Sequence, residues 1–374
     1  MEISIIGGGI TGLTTALALS KLGLPAKVYE QAKSLNEIGA GIWLQPNAMK
    51  VLQWLGLEKE IKQAGCTLNK MEITYPDLTP IKKINKAVVS DSDGNQTIAI
   101  HRAKLQSILF DKLKETSHIE LGKSYINHEL VNKKIEIQFK DESISSDIVL
   151  GADGIHSKVR ATMGLPSQYR NTNQICCRGI ATIELPEHLQ AEGKEVWGHK
   201  KRFGFSQLSD EKVYYFTVLN KNNCPSNLDQ NSFIDQFKEF DPIVSQIIAS
   251  SETFHETELY DLKRLPNWYN THSCLIGDAA HATTPNMGQG ACQGIEDAYY
   301  ISNLLKSSEK PADAFKQFEL KRRKKVEYVV NNSWNFGKMA HNPFGQFIMR
   351  TIMKITPEKV MSKQMNKLYE VDGL

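Results

Sequence analysis

The chain has almost no net charge: 45 Lys plus Arg against 42 Asp plus Glu leave a formal +3 over 374 residues. That gives no electrostatic ground for nucleic-acid binding, which calls for a strong basic excess or a clustered basic face. Cysteine is sparse and unpatterned. Cys66, Cys176, Cys177, Cys224, Cys274 and Cys292 form no CxxC pair and no His/Cys metal spacing, and neighbours such as Cys176 and Cys177 do not readily bridge each other. A reducing cytoplasm and no metal site are the expectations. Long apolar runs are missing too. The longest uncharged stretch, residues 3–20, is broken by Gly7, Gly8, Gly9 and Gly12, and Glu2 stands where an export signal would be positive. The expected protein is soluble, without stable membrane insertion, internal repeats or low-complexity tracts.

What is present is ordinary globular material, 41% apolar and 23% charged. The length suits roughly two domains of about 150 residues each. Residues 2–6 form a short apolar run that stops at three glycines. Leu13, Ala16 and Leu17 follow at helical spacing, and Gly23 stands at a helix end. Residues 26–30 then make a second short strand, so the chain opens with a βαβ unit. A strand at 97–100 leads through His101 and Arg102 into a helix over 103–115, and 119–121, 135–139 and 148–150 add strands. Residues 174–185 and 212–219 are β-rich with no helical pattern between them, which suggests an antiparallel sheet. A buried strand at 273–276 and a helix at 290–305 return to the first pattern. The predicted fold is α/β. A Rossmann-like domain is assembled from 1–70, 98–170 and 260–310, a β-sheet domain from 71–97 and 171–259, and a helical region from 311–374. In that last region, the run Lys321, Arg322, Arg323, Lys324, Lys325 reads as a solvated helix face. Phe344, Ile348, Ile352 and Ile355 read as a core-covering stripe, and Thr356 as the N-cap of the last helix.

Gly7, Gly9 and Gly12 spell GxGxxG between a strand and a helix. The first glycine makes a tight turn, the second admits a pyrophosphate, and the third lets helix and strand pack closely. The helix N-terminus adds free amides and a positive dipole end. Glu30, ending the second strand, is placed to accept hydrogen bonds from a ribose. Two later segments also follow strands: Gly151-Ala152-Asp153-Gly154, running on to Arg160, and Gly277-Asp278-Ala279-Ala280-His281, running on to Pro285, Gly288, Gln289 and Gly290. No charged residue lies between Asp278 and Glu296 apart from a possible proton on His281. A neutral, glycine-rich wall of this kind suits a flat cofactor ring.

These three segments resemble those of the class A flavoprotein monooxygenases, the FAD-dependent aromatic hydroxylases of the para-hydroxybenzoate hydroxylase type. The pattern is nearest the urate hydroxylase and zeaxanthin epoxidase branch. Gly39-Ala40-Gly41-Ile42, Pro46-Asn47-Ala48, His101-Arg102 and Glu296-Asp297-Ala298 extend the likeness over residues 1–335. The resemblance implies one non-covalent FAD, with Asp278 on the ribityl chain, Gly41 and Arg102 near the flavin, and Asp153-Gly154 serving both FAD and a transient NADH or NADPH. It also implies oxygen transfer from a flavin 4a-hydroperoxide to a small planar aromatic or heteroaromatic substrate. No second GxGxxG marks a separate nicotinamide domain. In the urate branch an Arg and a Tyr twelve positions apart hold the substrate, and Arg202 and Tyr214 fit that spacing. Asn286 replaces that branch's Asp in the flavin loop, which argues against urate. His281 reads as a structural member of the cofactor wall, Met287 as packing beside the ring, and Cys274 and Cys292 as small core residues. Polyene epoxidases and antibiotic-modifying oxygenases remain alternatives, as do halogenases and prenyl reductases on the same fold. No tryptophan begins the WxWxIP segment expected of a halogenase. A monomer or homodimer is expected.

Overall fold

The computed structural model describes residues 1–34, 40–82, 89–115, 117–224 and 230–374, and only the backbone at 252–254; Gly39 therefore lies outside the described residues. Strand Ile3–Ile6 is buried at every position, as expected of a central strand covered on both faces. Around it a five-stranded sheet runs in the order Ser273–Leu275, Ile148–Gly151, Ile3–Ile6, Ala26–Glu30, His118–Leu121, with every pair parallel. Ile6 is level with Gly151 on one side and with Tyr29 on the other, and Gly151 is level with Leu275. The three glycine-containing segments thus leave the sheet at the same carboxyl edge, where ligands bind in such sheets. Helix Ile10–Lys21 packs against this sheet, and helix Gly290–Ser307 packs on that helix so closely that a Cβ on Gly294 would lie 2.1 Å from Thr11 Oγ1.

The predicted strand at 135–139 exists as Lys134–Phe139, in a separate three-stranded antiparallel sheet with Tyr125–Val131 and Ser143–Ser146. Its burial alternates strictly, which marks one wet and one covered face. Its covered face sets Phe139 against Tyr29, with ring centroids 4.8 Å apart.

The second large sheet has six strands. Ser251–Leu262, Tyr169–Thr182, Lys212–Asn220, Lys201–Ser209 and Glu192–Gly198 are antiparallel neighbours in that order, and Lys70–Thr74 pairs parallel at the edge. One face carries Phe203, Phe205, Tyr215 and Ile175, and packs on helices Gln230–Gln236 and Pro242–Ala249 through Phe233, Phe237 and Ile247. The other face carries Arg178, Tyr214, Phe216 and Arg202. It is turned toward Trp43 and Ala99, from a small ladder of Gly41–Leu44, Ile98–His101 and Gly65–Thr67.

The C-terminal region departs from the sequence reading in three places. The run 321–325 lies in helix Pro311–His341, but it is not a solvated face. Arg322 is 1% exposed and ion-pairs with Glu296 and Asp297, because those two acids lie buried on helix Gly290–Ser307 and need a cation. The stripe on helix Pro343–Ile355 does not cover core. Phe344, Ile352 and Ile355 are exposed, while Met349 and Met353 on the opposite side pack toward Ile81 and Trp197. Thr356 donates to Ile352 O at the end of that helix, and the last helix, Glu358–Tyr369, has no side-chain cap. Among the described residues no helix is long and apolar enough to cross a membrane.

Candidate functional site

The glycine-rich turn is built as its spacing predicts. Gly7 has φ +110°, and a Cβ there would lie 2.4 Å from Ala152 O; a Cβ on Gly12 would lie 1.9 Å from Gly7 O. At Gly9, by contrast, a Cβ would meet nothing within 4 Å. So Gly7 and Gly12 serve contacts inside the protein, whereas Gly9 fronts open space. Helix Ile10–Lys21 begins there with no side-chain cap and no acid in its first turn, leaving its amides to an external anion. Glu30 accepts from Gly8 N at 2.6 Å and from Ala32 N at 2.8 Å. In this structure its carboxylate braces the turn.

The second segment divides its carboxylate. Asp153 Oδ2 accepts from Lys158 N at 2.7 Å and Val159 N at 3.0 Å, capping helix Lys158–Thr162, while its Oδ1 is buried without a partner. Burial pushes the Asp153 carboxyl above its usual range against these hydrogen bonds. Gly154 follows at φ +77°, again with open space at its Cβ position. Arg160, fully buried, donates from Nη2 to Ile155 O at 2.7 Å and from Nη1 to Ala279 O at 2.9 Å. It ties the second segment to the third.

In the third segment Gly277 takes φ +57°, and Thr11 Oγ1 stands 2.6 Å from where its Cβ would be, so only glycine fits. Its amide donates to Asp297 Oδ2 at 2.8 Å, and the same oxygen meets His281 Nε2 at 2.6 Å. His281 is thereby a fastening of this turn. Asp278 has no hydrogen-bond partner among the described residues, and its side chain is open to solvent. It nevertheless sits in a recess. The surrounding protein raises its carboxyl above the usual range, with the nearby charges of His281 and Arg102 opposing. Arg102, exposed at the first turn of helix Arg102–Lys114, likewise has no side-chain partner among the described residues.

The loop after it is Pro285–Met287, a single tight turn, with Gly288 left-handed at φ +62°. Gln289 is fully buried: its Nε2 donates to Gln45 Oε1 at 2.6 Å, and its Oε1 accepts from Asn47 at 3.0 Å and Gln293 at 2.7 Å. Gly290 starts an eighteen-residue helix that has no acid in its first turn. The open cradle at Gly9 and Gly154, the orphaned Asp153 Oδ1 and the solvated Asp278 lie along one sheet edge, and Arg102 acts on Asp278 from the start of helix Arg102–Lys114. They fit an extended dinucleotide such as FAD, with phosphates at the Ile10–Lys21 amides and hydroxyls at the free carboxylate oxygens.

The residues singled out for substrate sit on the inner face of the six-stranded sheet. Tyr214 is opposite Ser206, and Arg202 is opposite Val218. They share a face but stand two rows apart. Tyr214 presses on Gly41, where a Cβ would lie 2.3 Å from its Cγ, so the missing side chain at Gly41 makes room for Tyr214. Burial pushes the Tyr214 hydroxyl up to about 12. Arg202 is 1% exposed; its Nη1 donates to Glu195 Oε1 at 2.9 Å and its Nη2 to Asn286 Oδ1 at 2.6 Å, leaving only Nε unpartnered. Asn286 in turn donates to Thr284 Oγ1 and Ser333 O, each at 3.0 Å. The amide that replaces a carboxylate here is therefore a clamp between Arg202 and helix Pro311–His341. Sequence reasoning missed Arg178, in the row between Tyr214 and Arg202, and the buried anchors Arg160 and Arg322. An available signal was the pair Glu296 and Asp297 among Cys292, Ile295 and Ala298, because acids on a buried helix stripe require a cation.

Comparison with known proteins agrees with this geometry. The family described as "FAD binding domain" matches residues 1–333. The chain is 29% identical to a 2-heptyl-3-hydroxy-4(1H)-quinolone synthase of Pseudomonas aeruginosa, covering 99% of this chain and 98% of that one. It is 27% identical to an aurachin C monooxygenase/isomerase of Stigmatella aurantiaca, with coverages of 95% and 94%. It is also 28% identical to an FAD-dependent urate hydroxylase of Klebsiella pneumoniae, over 88% of each. In fold it matches the crystal structure of Klebsiella pneumoniae HpxO complexed with FAD and uric acid, at TM-score 0.89 and 24% identity, covering 99% of this chain and 96% of that one.

Proposed function

This chain belongs to the class A flavoprotein monooxygenases, the FAD-dependent aromatic hydroxylases, and we propose that it uses NADH or NADPH and O2 to hydroxylate a small planar aromatic or heteroaromatic ring. The observation that carries the reading is the pairing of an open cofactor cradle with a polar-dotted inner sheet face. The cradle is fronted by Gly9, Gly154 and Asp278, and the face presents Arg178, Tyr214 and Phe216. When bound and reduced, FAD supplies the activation of oxygen, a chemistry that protein side chains lack.

The chain's own residues bind, orient and exclude water. First-turn amides of helix Ile10–Lys21 hold the pyrophosphate, and Asp278 and Asp153 Oδ1 accept from cofactor hydroxyls. The first turn of Gly290–Ser307, uncapped by any acid, favours negative charge on the pyrimidine edge of the ring. The wall from Ala279 to Gln289 holds no Asp, Glu, Lys or Arg, and Asp297 holds the His281 ring. Such a wall keeps water and stray protons from the reacting atoms. Tyr214, protonated throughout the working pH range, donates a hydrogen bond to a ring oxygen.

The test is a screen of ring compounds, including 4-quinolones, hydroxybenzoates and hydroxypyridines, for stimulation of NADH or NADPH oxidation by the FAD-loaded protein. Product mass after turnover in 18O2 is then measured. One labelled oxygen in the product is expected. A protein that takes up no FAD, or a stimulated reaction whose only product is hydrogen peroxide for every ring, overturns the reading.

A further inference from the structure

Two arginines face the inside of the six-stranded sheet, and they stand in opposite electrostatic situations. The register of Tyr169–Thr182, Lys212–Asn220 and Lys201–Ser209 lines up three rows: Cys176 with Val218 and Arg202, Arg178 with Phe216 and Gly204, and Ile180 with Tyr214 and Ser206. Residues two apart on a strand share a face, so all nine point the same way. Arg202, in the first row, has its charge met by Glu195. Arg178, in the middle row, forms no ion pair with any Asp or Glu among the described residues. The groups close enough to act on it are the Cys176 thiol and the Tyr214 hydroxyl. Gly204 beside it makes room for the Phe216 ring, whose edge lies 2.2 Å from where a Gly204 Cβ would be.

A guanidinium cannot shed its charge at any ordinary pH. Arg178 is half-buried, and a guanidinium so placed without a counter-ion is costly unless water or a ligand meets it. A structural arginine would have its charge met by a carboxylate, as those of Arg202 and Arg322 are, whereas the Cys176 thiol and Tyr214 hydroxyl that hydrogen-bond to Arg178 are neutral groups. We infer that Arg178 is the anion-recognising group of the substrate site, taking the ionised ring oxygen of a phenol or enol while Tyr214 donates its hydroxyl hydrogen to the same oxygen. The inference rests on the hydroxylase reading above and deepens it to a substrate class. Ionisation releases the ring hydroxyl proton to water and breaks no other bond. The oxyanion so held makes the neighbouring ring carbon electron-rich, which attack by an electrophilic oxygen requires. Phe216 supplies an apolar surface in the same row for the ring itself.

The test uses the FAD-loaded protein and two probes of one shape, 4-nitrophenol and its methyl ether 4-nitroanisole, of which only the first can ionise. Binding is followed by equilibrium dialysis and by perturbation of the flavin absorption band, at about pH 7.5 where part of the phenol is ionised. The wild-type protein is expected to prefer the phenol by roughly tenfold to a hundredfold, the range of a charge-assisted hydrogen bond. Arg178→Gln should erase that preference, Arg178→Lys should keep most of it, and FAD content should stay unchanged in both. If Arg178→Gln retains the preference while Arg202→Gln loses it, the anion site belongs to Arg202 and the inference is overturned. Equal binding of both probes by the wild type, each still perturbing the flavin, also overturns it and leaves the hydroxylase reading standing. A wild type in which neither probe perturbs the flavin, and no ring stimulates NAD(P)H oxidation, overturns both.

Discussion

Behind the cofactor loop and in front of it, the protein treats buried polar groups in opposite ways. Behind it, Gln45, Asn47, Gln289, Gln293, Glu296, Asp297 and Arg322 form a continuous network. Arg322 reaches Glu296 at 2.6 Å, Asp297 at 2.8 Å and Gln293 at 2.7 Å; Asn47 reaches Glu296 at 2.5 Å; and Lys325 closes on Glu296 from outside at 2.9 Å. In front of it, Asp153 Oδ1 and Arg202 Nε are buried without a hydrogen bond, and Asp278, Arg102 and Arg178 have no carboxylate or guanidinium in contact among the described residues. Satisfied networks fix a geometry, and unsatisfied groups await a partner. The boundary between the two sets is the stretch from Gly277 to Gly290. One side of that stretch is held by Asp297 and Gln289, and its other side is the one proposed above to meet the cofactor.

If that division is right, the largest effects follow from breaking the closed side. Arg322→Met leaves Glu296 and Asp297 buried with too little positive charge and should remove about 3 to 5 kcal/mol of stability, read by urea unfolding of the apoprotein. A loss within the noise of the measurement would show that the network is not what holds the loop. The Asp297 carboxyl adds a pH signature. Burial alone would raise it, yet His281 and Arg322 together hold it below the usual range. A depressed carboxyl stabilises the fold above its unfolded value, about 3.9, and that stability is lost as pH falls through the lower folded value. Acid unfolding of the Arg322→Met protein should therefore begin at higher pH than in the wild type.

The glycines sharpen the same contrast. Gly12→Ala drives a methyl to 1.9 Å from Gly7 O and should cost about 3 kcal/mol or more, since neither backbone can yield without the other. Gly9→Val meets only open space and should leave the apoprotein's unfolding midpoint almost unchanged, while FAD retained through gel filtration falls steeply. Equal destabilisation by the two substitutions would show that Gly9 packs inside the protein after all.

Much of the closed architecture was legible in the sequence because it rests on local patterns. Three glycines between apolar runs can make only a few kinds of turn, and 3.6-residue periodicity located helices Arg102–Lys114 and Gly290–Ser307 to within two residues. The misreadings share a different cause. Whether Arg322 is solvated depends on which helix lies opposite it, and whether Phe344 covers core depends on which side of its helix meets Trp197. Neither relation is local. Arg178 escaped for the same reason, since only strand register puts it beside Tyr214, thirty-six positions away in sequence. Arg202 and Tyr214 came from a spacing, and a spacing does not reveal that Glu195 takes up the charge of one of them.

On the open side, the cofactor role proposed for Asp278 comes at some expense to the fold. Its carboxyl is raised by the surrounding protein, so at neutral pH its charge is less favourable in the folded chain than in the unfolded one. That handicap is absent below the unfolded value and develops as pH rises through the higher folded value. Asp278→Asn should therefore melt slightly higher than the wild type as apoprotein near neutral pH, with the two converging in acid. The same change should weaken FAD binding by about 1 to 3 kcal/mol, the usual cost of a lost buried hydrogen bond. A variant that binds FAD normally and melts no higher would place Asp278 on the closed side of the comparison.

The smallest effect is expected at Tyr214, where the open side meets the closed one. Its ring is fixed against Gly41 and lies 6.1 Å from the Phe216 ring, whereas its hydroxyl lies by Arg178, the group inferred above to take the ligand's ring oxygen. Tyr214→Phe keeps the ring, so stability and FAD content should hold. Only a neutral hydrogen bond is removed, worth about 1 kcal/mol, or roughly a fivefold rise in the Kd of a phenolic ligand. Because burial holds the hydroxyl up at about 12, with Arg178 only partly opposing, Tyr214 stays protonated through the pH range in which the protein is folded and active. The pH profiles of wild type and Tyr214→Phe should thus run parallel. A limb present near neutral pH in the wild type and missing in the variant would mean that Tyr214 gives up its proton during turnover, and that its hydroxyl acts as an acid or base and not as a fixed donor.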